Sequence, residues 1–164
     1  VLDDRDCMVD MARYFLQFTQ AQSCGKCTFC RVGTRRMLDV LERLCAGRGR
    51  AEDLGTLESL GHSVSGASLC GLGRTAPNPV LTTLKYFRDE FTAHLEGRCP
   101  AGRCRGLIRY SVREACTGCT RCSRACPADA IPYTPYRRHE IDTTRCTRCD
   151  ACRQVCPADA IEVR

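Results

Sequence analysis

Cysteine is the residue that most constrains what this chain can fold into. Sixteen of the 164 residues are cysteine, which is several times the ordinary usage. A chain so rich in cysteine is held together in part by covalent or metal bonds. Three arrangements are common, namely a secreted disulfide framework, a set of zinc sites, and iron–sulfur clusters. The spacing of the cysteines decides among them.

One cysteine run occurs twice in the last third of the chain. CTGCTRCSRACPADAI at residues 116–131 returns as CTRCDACRQVCPADAI at residues 146–161, and ten of the sixteen paired positions are identical. Similarity at a fixed period indicates a duplicated unit. Each copy has the pattern C-x2-C-x2-C-x3-C-P, which is typical of two-cluster bacterial ferredoxins. In those proteins, three cysteines of one run and the last cysteine of the other hold one cubane cluster.

The crossed pattern assigns ligands to two [4Fe–4S] clusters. The first takes Cys116, Cys119, Cys122 and Cys156. The second takes Cys146, Cys149, Cys152 and Cys126. Zinc knuckles or disulfides are the alternative, but a tetrahedral zinc site rarely needs a third cysteine at this spacing. We therefore predict a two-cluster ferredoxin-like domain over residues 113–164.

The first hundred residues carry a helical period instead. Apolar residues recur three and four positions apart, which favours amphipathic helices. Four segments show this period: residues 6–20, 34–46, 51–64 and 78–97. The last begins with Asn78 as a cap and Pro79 in its first turn. We predict a small four-helix bundle over residues 1–98 and a cysteine-containing linker over residues 99–112. With the ferredoxin-like domain that follows, the predicted fold class is α+β.

A third cysteine set lies in the helical part. In an up-and-down bundle, the loops after the first and third helices lie at the same end. That end then holds four cysteines: Cys24, Cys27, Cys30 and Cys70. Three thiolates at x2 spacing and a distant fourth can hold one cubane, so we predict a third [4Fe–4S] cluster. A zinc site built from three of them, with Cys70 packed nearby, is the alternative.

The cysteines that remain are Cys7, Cys45, Cys99 and Cys104. The same topology brings Cys7, the loop at residues 99–104 and His94 to the opposite end of the bundle. Three thiolates and one imidazole are a closed tetrahedral set, so we predict a structural zinc ion bound by Cys7, His94, Cys99 and Cys104. A surface His94 with unligated thiols is the alternative. Cys45 could replace a ligand, but its spacing with apolar neighbours favours a packed thiol.

Charge and hydropathy exclude several classes of protein. The formal charge of +6 is spread along the chain without a basic run, so a nucleic-acid tail or a polybasic membrane anchor is not indicated. No apolar stretch approaches the roughly 18 residues that cross a bilayer, and the first residues are not a signal peptide. We expect a soluble, cytoplasmic protein. His62 and His139 lack a ligand partner at useful spacing and are expected at the surface.

Two motifs carry a family resemblance. SCGKCTFCRVG at residues 23–33 and SLCGLGRTAPNP at residues 68–79 resemble the C-terminal part of the flavin-bearing, NADH-oxidising subunit of respiratory complex I. With the CPAGRC loop and the ferredoxin-like tail, the chain is more similar to a related branch. That branch holds flavoprotein subunits of NAD(P)-linked, often electron-bifurcating [FeFe] hydrogenases and of some formate dehydrogenases. Phe29 departs from the proline that is usual there, but it leaves the ligands in place.

The resemblance implies cofactors and partners that this sequence does not itself contain. FMN and NAD(P) would bind an N-terminal domain, and no glycine-rich nucleotide loop follows a strand here. Residues 1–4 are expected to be the end of a strand, and the chain to be part of a longer polypeptide. The implied partners are a hydrogenase or formate dehydrogenase catalytic subunit, a small [2Fe–2S] subunit, the flavin domain of the same chain and soluble ferredoxin.

The expected function is that of an electron-transfer module. Single electrons would pass between the flavin and a partner through three [4Fe–4S] clusters. We predict no catalytic side chain, because the sequence offers no nucleophile, general base or substrate pocket. The rival classes are a stand-alone ferredoxin, the electron-transfer part of a formate dehydrogenase or complex I-like enzyme, an iron-free multi-zinc module, and a secreted disulfide scaffold.

Overall fold

The structure is a computed structural model that describes Asp3 and residues 5–163. It separates into two units, Val1–Leu107 and Ile108–Arg164. The longer helices lie in the first unit, and both cysteine runs lie in the second. The strand end expected at residues 1–4 falls outside the described residues, except for Asp3.

Three of the predicted helices are present with small shifts at their ends. They are α1 (Met8–Ala21), α2 (Thr34–Cys45) and α3 (Asp53–Ala67). Cys7 caps α1, because its sulfur accepts a hydrogen bond from the N–H of Asp10 at 3.4 Å. A short π-helical segment, Phe29–Gly33, leads directly into α2. Among the helices formed by residues 5–163, none is long and apolar enough to cross a bilayer.

The helix predicted over residues 78–97 is wrong as a single element. The structure has α5 (Asn78–Tyr86) and α6 (Arg88–Leu95), with Phe87 between them at φ −126° and ψ 40°. Asn78 is the first helical residue rather than the cap. A further short helix, α4 (Gly71–Thr75), precedes them. The first unit is therefore rich in helices, but it is more divided than a simple bundle of four.

The core of the first unit is formed by apolar side chains from these helices. The largest of the fully buried ones include Leu16, Met37, Leu41, Leu57 and Phe91. Residues 99–107 pack against the same core, because Cys104 and Leu107 are buried members of it. The structure thus divides after Leu107 rather than near residue 98, and only residues 108–112 of the expected linker belong to the second unit.

The second unit contains little regular structure beyond the cysteine runs. Its elements, in chain order, are β1 (Tyr110–Val112), α7 (Arg121–Ala125), α8 (Ala151–Gln154) and β2 (Ile161–Val163). β1 and β2 pair in antiparallel fashion with Ser111 opposite Glu162. A helix-rich first unit and a small two-stranded sheet agree with the predicted α+β class.

Gly33 sets how closely the π-helical segment approaches α3. A Cβ at this position would overlap Cγ2 of Val64, which is fully buried. We predict that Gly33→Ala lowers the free energy of unfolding by about 1–3 kcal/mol, because the core must shift to admit the methyl group. Anaerobic thermal unfolding measures this as a lower Tm.

Gly55→Ala is the matched control. Gly55 also lies on α3, but a Cβ there would meet no packing neighbour within 4 Å among residues 5–163. Alanine is the better helix former, so this substitution is expected to stabilise the protein by about 0.5–1 kcal/mol. Equal shifts of Tm in the two variants would show that the Gly33–Val64 approach does not limit stability.

Candidate functional site

The second unit brings the two cysteine runs together in the crossed arrangement. One cavity is lined by three cysteines of the first run and the last cysteine of the second: Cys116, Cys119, Cys122 and Cys156. The other cavity is lined by the reciprocal set: Cys146, Cys149, Cys152 and Cys126. The fourth cysteine of each run therefore lies with the opposite run, as the sequence pattern predicts.

The backbone makes the same turns at equivalent positions of both runs. Left-handed residues recur in pairs thirty positions apart: Gly118 with Arg148, Thr120 with Asp150, and Asp129 with Asp159. Five of these six are not glycine, and such residues seldom adopt positive φ. Thr120 and Asp150 stand directly before α7 and α8. The matching turns give the two cysteine sets equivalent local geometry.

Main-chain amides point at the last cysteine of each run. The N–H of Ala130 donates to Sγ of Cys126, and the N–H of Ala160 donates to Sγ of Cys156, each at 3.3 Å. A thiolate accepts such a bond better than a neutral thiol does. These donors therefore favour the ligating form of the sulfur and withdraw electron density from any cluster bound to it.

The buried cysteines of the second unit resist ionisation on their own. Burial raises the pKa of Cys122, and it raises the pKa of Cys152 to about 11. Cys119 is exposed, and the backbone N–H of Arg121 lowers its pKa. Because the thiolate is the form that binds metal, the buried members need a cation nearby to lose their protons.

His139 is not the surface residue that the sequence predicted. Its side chain is 1% exposed, it lines the cavity of the Cys116 set, and its Nδ1 lies 3.6 Å from Sγ of Cys116. Its Nε2 is buried and has no hydrogen-bond partner among the described residues. His139 stands between the two runs, where no apolar period signals burial. His62, by contrast, is exposed as predicted.

The four cysteines predicted to share a cluster in the first unit line one cavity: Cys24, Cys27, Cys30 and Cys70. Oγ of Ser23 lies 3.4 Å from Sγ of Cys30. Gly73 permits this packing, because a Cβ there would lie 3.3 Å from Cβ of Cys30 and 2.6 Å from Cβ of Ser68. Phe29 is half exposed at the start of the π-helical segment.

A fourth group contains Cys7, His94, Cys99 and Cys104, whose ligand atoms all lie within 4.8 Å of one another. Sγ of Cys7 lies 3.3 Å from Nε2 of His94 and 3.7 Å from Sγ of Cys104. Nε2 of His94 lies 3.4 Å from Sγ of Cys104. Cys99 is half-buried and the other three are buried. The juxtaposition is the one that the bundle topology predicted.

The orientation of His94 is set by the main chain. Its Nδ1 lies 2.7 Å from the carbonyl oxygen of Glu90, and a carbonyl only accepts, so Nδ1 donates and Nε2 faces the sulfurs. Burial lowers the pKa of His94, but contacts with Cys7 and Cys99 outweigh it and raise the pKa to about 10. Because an imidazolium cannot ligate, a metal ion binding here must displace that proton.

Cys45 has surroundings that the predicted packed thiol describes only in part. It packs against the core at the end of α2. Its sulfur also forms a group with Asp10 and Cys104, with ligand atoms within 4.8 Å of one another. Sγ of Cys45 lies 4.0 Å from Oδ1 of Asp10, and the contact with Cys45 raises the pKa of Cys104.

Cysteine sets of this spacing, each gathered around its own cavity, define an iron–sulfur protein. Comparison with known families agrees. The NADH-ubiquinone oxidoreductase-F iron-sulfur binding region matches residues 10–94, and a 4Fe-4S dicluster domain matches residues 111–163. Since the first match covers more than half of the chain, the chain belongs to the family of NADH-ubiquinone oxidoreductase-F iron-sulfur binding regions.

Individual proteins confirm the resemblance seen in the motifs. The chain is 45% identical over 141 residues to the HndC subunit of the NADP-reducing hydrogenase of Solidesulfovibrio fructosivorans, covering 85% of this chain and 29% of that one. It is 44% identical over 101 residues to the F subunit of the NADH-quinone oxidoreductase of Mycobacterium bovis, covering 61% and 23%. A crystal structure of NAD+-reducing [NiFe]-hydrogenase in the H2-reduced state is similar with a TM-score of 0.56 and 33% identity, over 66% of this chain and 18% of that one. The chain thus spans less than a third of each of these proteins.

The position of His139 generates a prediction for one cluster alone. A thiolate can only accept, so Nδ1 of His139 would donate to Cys116 when that cysteine is a ligand. His139→Leu removes the donor, and we expect the midpoint potential of that cluster to fall by about 20–60 mV, equivalent to the roughly 0.5–1.5 kcal/mol of one hydrogen bond. An EPR-monitored redox titration measures it.

His139→Gln serves as the control, because an amide can still donate to the sulfur. Its potential should stay closer to the unmodified value. Equal shifts in all clusters, or no shift in any, would contradict a specific role for His139.

Proposed function

We propose that the chain is the electron-relay part of an NAD(P)-linked flavoprotein subunit, and that it holds three [4Fe–4S] clusters and one structural zinc ion. The main support for this proposal is the convergence of the cysteines on three cavities. Twelve of the sixteen line three cavities, four to each, and no cysteine belongs to two sets. A [4Fe–4S] cluster bound by four thiolates takes up and returns one electron at a time.

The exposure of the ligands suits this task. Each set has at least one exposed cysteine: Cys24 and Cys70, Cys119, and Cys149. Each set also has one buried cysteine: Cys30, Cys122 and Cys152. The exposed edge lets an electron enter or leave over a short distance. The buried edge surrounds the centre with apolar groups and amide donors, which set its potential.

The fourth group fits zinc by its spacing and its chemistry. Sulfur and nitrogen ligands around a tetrahedral zinc ion lie about 3.5–3.8 Å apart, and three of the ligand separations here are 3.3, 3.4 and 3.7 Å. Cys7, His94, Cys99 and Cys104 would fill all four positions, so the ion would be structural rather than catalytic. It would tie the start of α1 and the end of α6 to the loop at residues 99–104.

The rest of the proposal concerns the longer polypeptide to which this chain would belong. We propose that FMN and NAD(P) bind a separate domain of it, and that the helical unit accepts electrons from that domain and passes them to the second unit. Hydrogenase or formate dehydrogenase subunits, a small [2Fe–2S] subunit and soluble ferredoxin are the proposed partners, and electron bifurcation is the proposed activity of the whole. Similarity to an NADP-reducing hydrogenase subunit and to an NADH-quinone oxidoreductase subunit supports an NAD(P)-linked parent and a hydrogenase partner.

A stand-alone ferredoxin-type carrier is the second candidate. The match of a 4Fe-4S dicluster domain to residues 111–163 favours it. A carrier of that kind would not need the helical unit, which has its own four-cysteine cavity and a separate family match. The flavoprotein relay therefore accounts for more of the chain.

Paired substitutions test the crossed ligand sets. Cys116→Ala with Cys156→Ala removes two ligands of one proposed cluster, whereas Cys116→Ala with Cys126→Ala removes one ligand from each of two. EPR spin quantification after full reduction should give about three spins per unmodified chain, about two in the first double variant and about one in the second. The reverse order of the two variants would show that each run closes on its own fourth cysteine.

Reduction by nucleotide tests the function itself. In the native complex, purified anaerobically, we expect NADH or NADPH to produce the EPR signal of a reduced [4Fe–4S] cluster in the helical unit. Cys70→Ala should abolish that signal and stop nucleotide from reducing the second unit, whereas dithionite should still produce the signals of the second unit. A protein that purifies without flavin, and whose clusters respond to dithionite but to neither nucleotide, would instead be a stand-alone carrier.

A further inference from the structure

Cys45 occupies a position that the proposed clusters and zinc ion do not use. It ends α2 and is half-buried. Its sulfur lies within 4.8 Å of the sulfur of Cys104, one of the proposed zinc ligands. Cys45 also lines an open cleft whose wall includes Arg13, Arg103 and Arg105. Cys104 lines the same cleft. A small solute in the cleft can therefore reach Cys45 beside a proposed metal-ligand thiol.

The chain two residues after Cys104 packs against the end of α2, where Cys45 lies. Gly106 is packed directly against the end of α2, since a Cβ there would lie 2.6 Å from Cα of Ala46 and 2.8 Å from the carbonyl oxygen of Cys45. A disulfide requires Cα atoms about 4.4–6.8 Å apart and sulfurs about 2.05 Å apart. The sulfurs of Cys45 and Cys104 lie within 4.8 Å of each other, so a movement of less than about 3 Å would bring them to bonding distance.

We propose that Cys45 and Cys104 form a disulfide on exposure to peroxide, and that this modification releases the metal ion of the Cys7, His94, Cys99 and Cys104 site. The disulfide itself needs only the two cysteines, whereas the release of metal rests on the proposed zinc site. Both thiols line the cleft. Cys45 reacts first, because it is half-buried, whereas Cys104 is 5% exposed and would be held by the metal ion. Loss of Cys104 leaves three ligands where zinc needs four.

The chemistry balances with hydrogen peroxide as the oxidant. The thiolate of Cys45 attacks one peroxide oxygen, so that an S–O bond forms, the O–O bond breaks and hydroxide leaves. The thiolate of Cys104 then attacks the sulfur of Cys45, so that the S–S bond forms, the S–O bond breaks and a second hydroxide leaves. The two sulfurs together lose two electrons, and the peroxide is reduced to two hydroxide ions.

The test compares the unmodified full chain, purified anaerobically, with Cys45→Ser. Both are treated with graded hydrogen peroxide. Remaining thiols are alkylated, linked peptides are identified by mass spectrometry, and zinc that passes a size filter is measured by elemental analysis. We expect a Cys45–Cys104 link to form in step with zinc release in the unmodified chain. In Cys45→Ser, we expect zinc release at least about tenfold slower, since the first reacting thiol is gone.

The zinc and iron content of both proteins, measured before peroxide is added, distinguishes a failure of the disulfide proposal from a failure of the zinc site. Cys45→Ser should contain as much zinc and iron as the unmodified chain, which shows that it folds. Zinc already lost from that variant would make Cys45 a metal ligand and overturn the proposal, as would a link between other cysteines or equal zinc release in both proteins. A Cys45–Cys104 link in a chain that never held zinc would instead overturn the zinc site and leave the modification site intact.

Discussion

Repulsion between thiolates crowded into small cavities is the constraint on which both units depend. Four cysteines line each of three cavities, and burial raises the pKa of members such as Cys122 and Cys152. A cation among the sulfurs offsets that cost and converts repulsion into bonding. Among residues 108–163, the regular elements are two three-residue strands and two single helical turns. So small an apolar core makes metal binding and folding a single process there.

Crossing of the two runs adds to this dependence. Each half of the duplicated unit lends its last cysteine to the cavity of the other, so neither half can complete a site alone. The pairing of β1 with β2 also joins the beginning of the unit to its end, so the two halves are held together by the sheet as well as by the shared cysteines.

The net charge of the chain is related to the proposed clusters as well. An oxidised [4Fe–4S] cluster with four thiolates carries about −2, so three such clusters would roughly balance the side-chain charge, which is +6.

Spacing made the cysteine sets predictable, because three thiolates two residues apart must converge and the turns between them repeat. The break at Phe87 was not predictable, since neither glycine nor proline marks it. His139 and the surroundings of Cys45 were missed for a different reason. Each lies close to a cysteine that is distant in the sequence, His139 to Cys116 and Cys45 to Cys104. Local periodicity does not predict such contacts. The boundary after Leu107 depends likewise on packing against a distant core.

The most direct measurement of the central claim is the iron, acid-labile sulfide and zinc content of the chain after anaerobic purification. Three cubane clusters and one structural ion require about twelve iron, twelve sulfide and one zinc per chain. About eight iron would leave one of the three four-cysteine cavities without a cluster. Zinc without iron would contradict the account altogether.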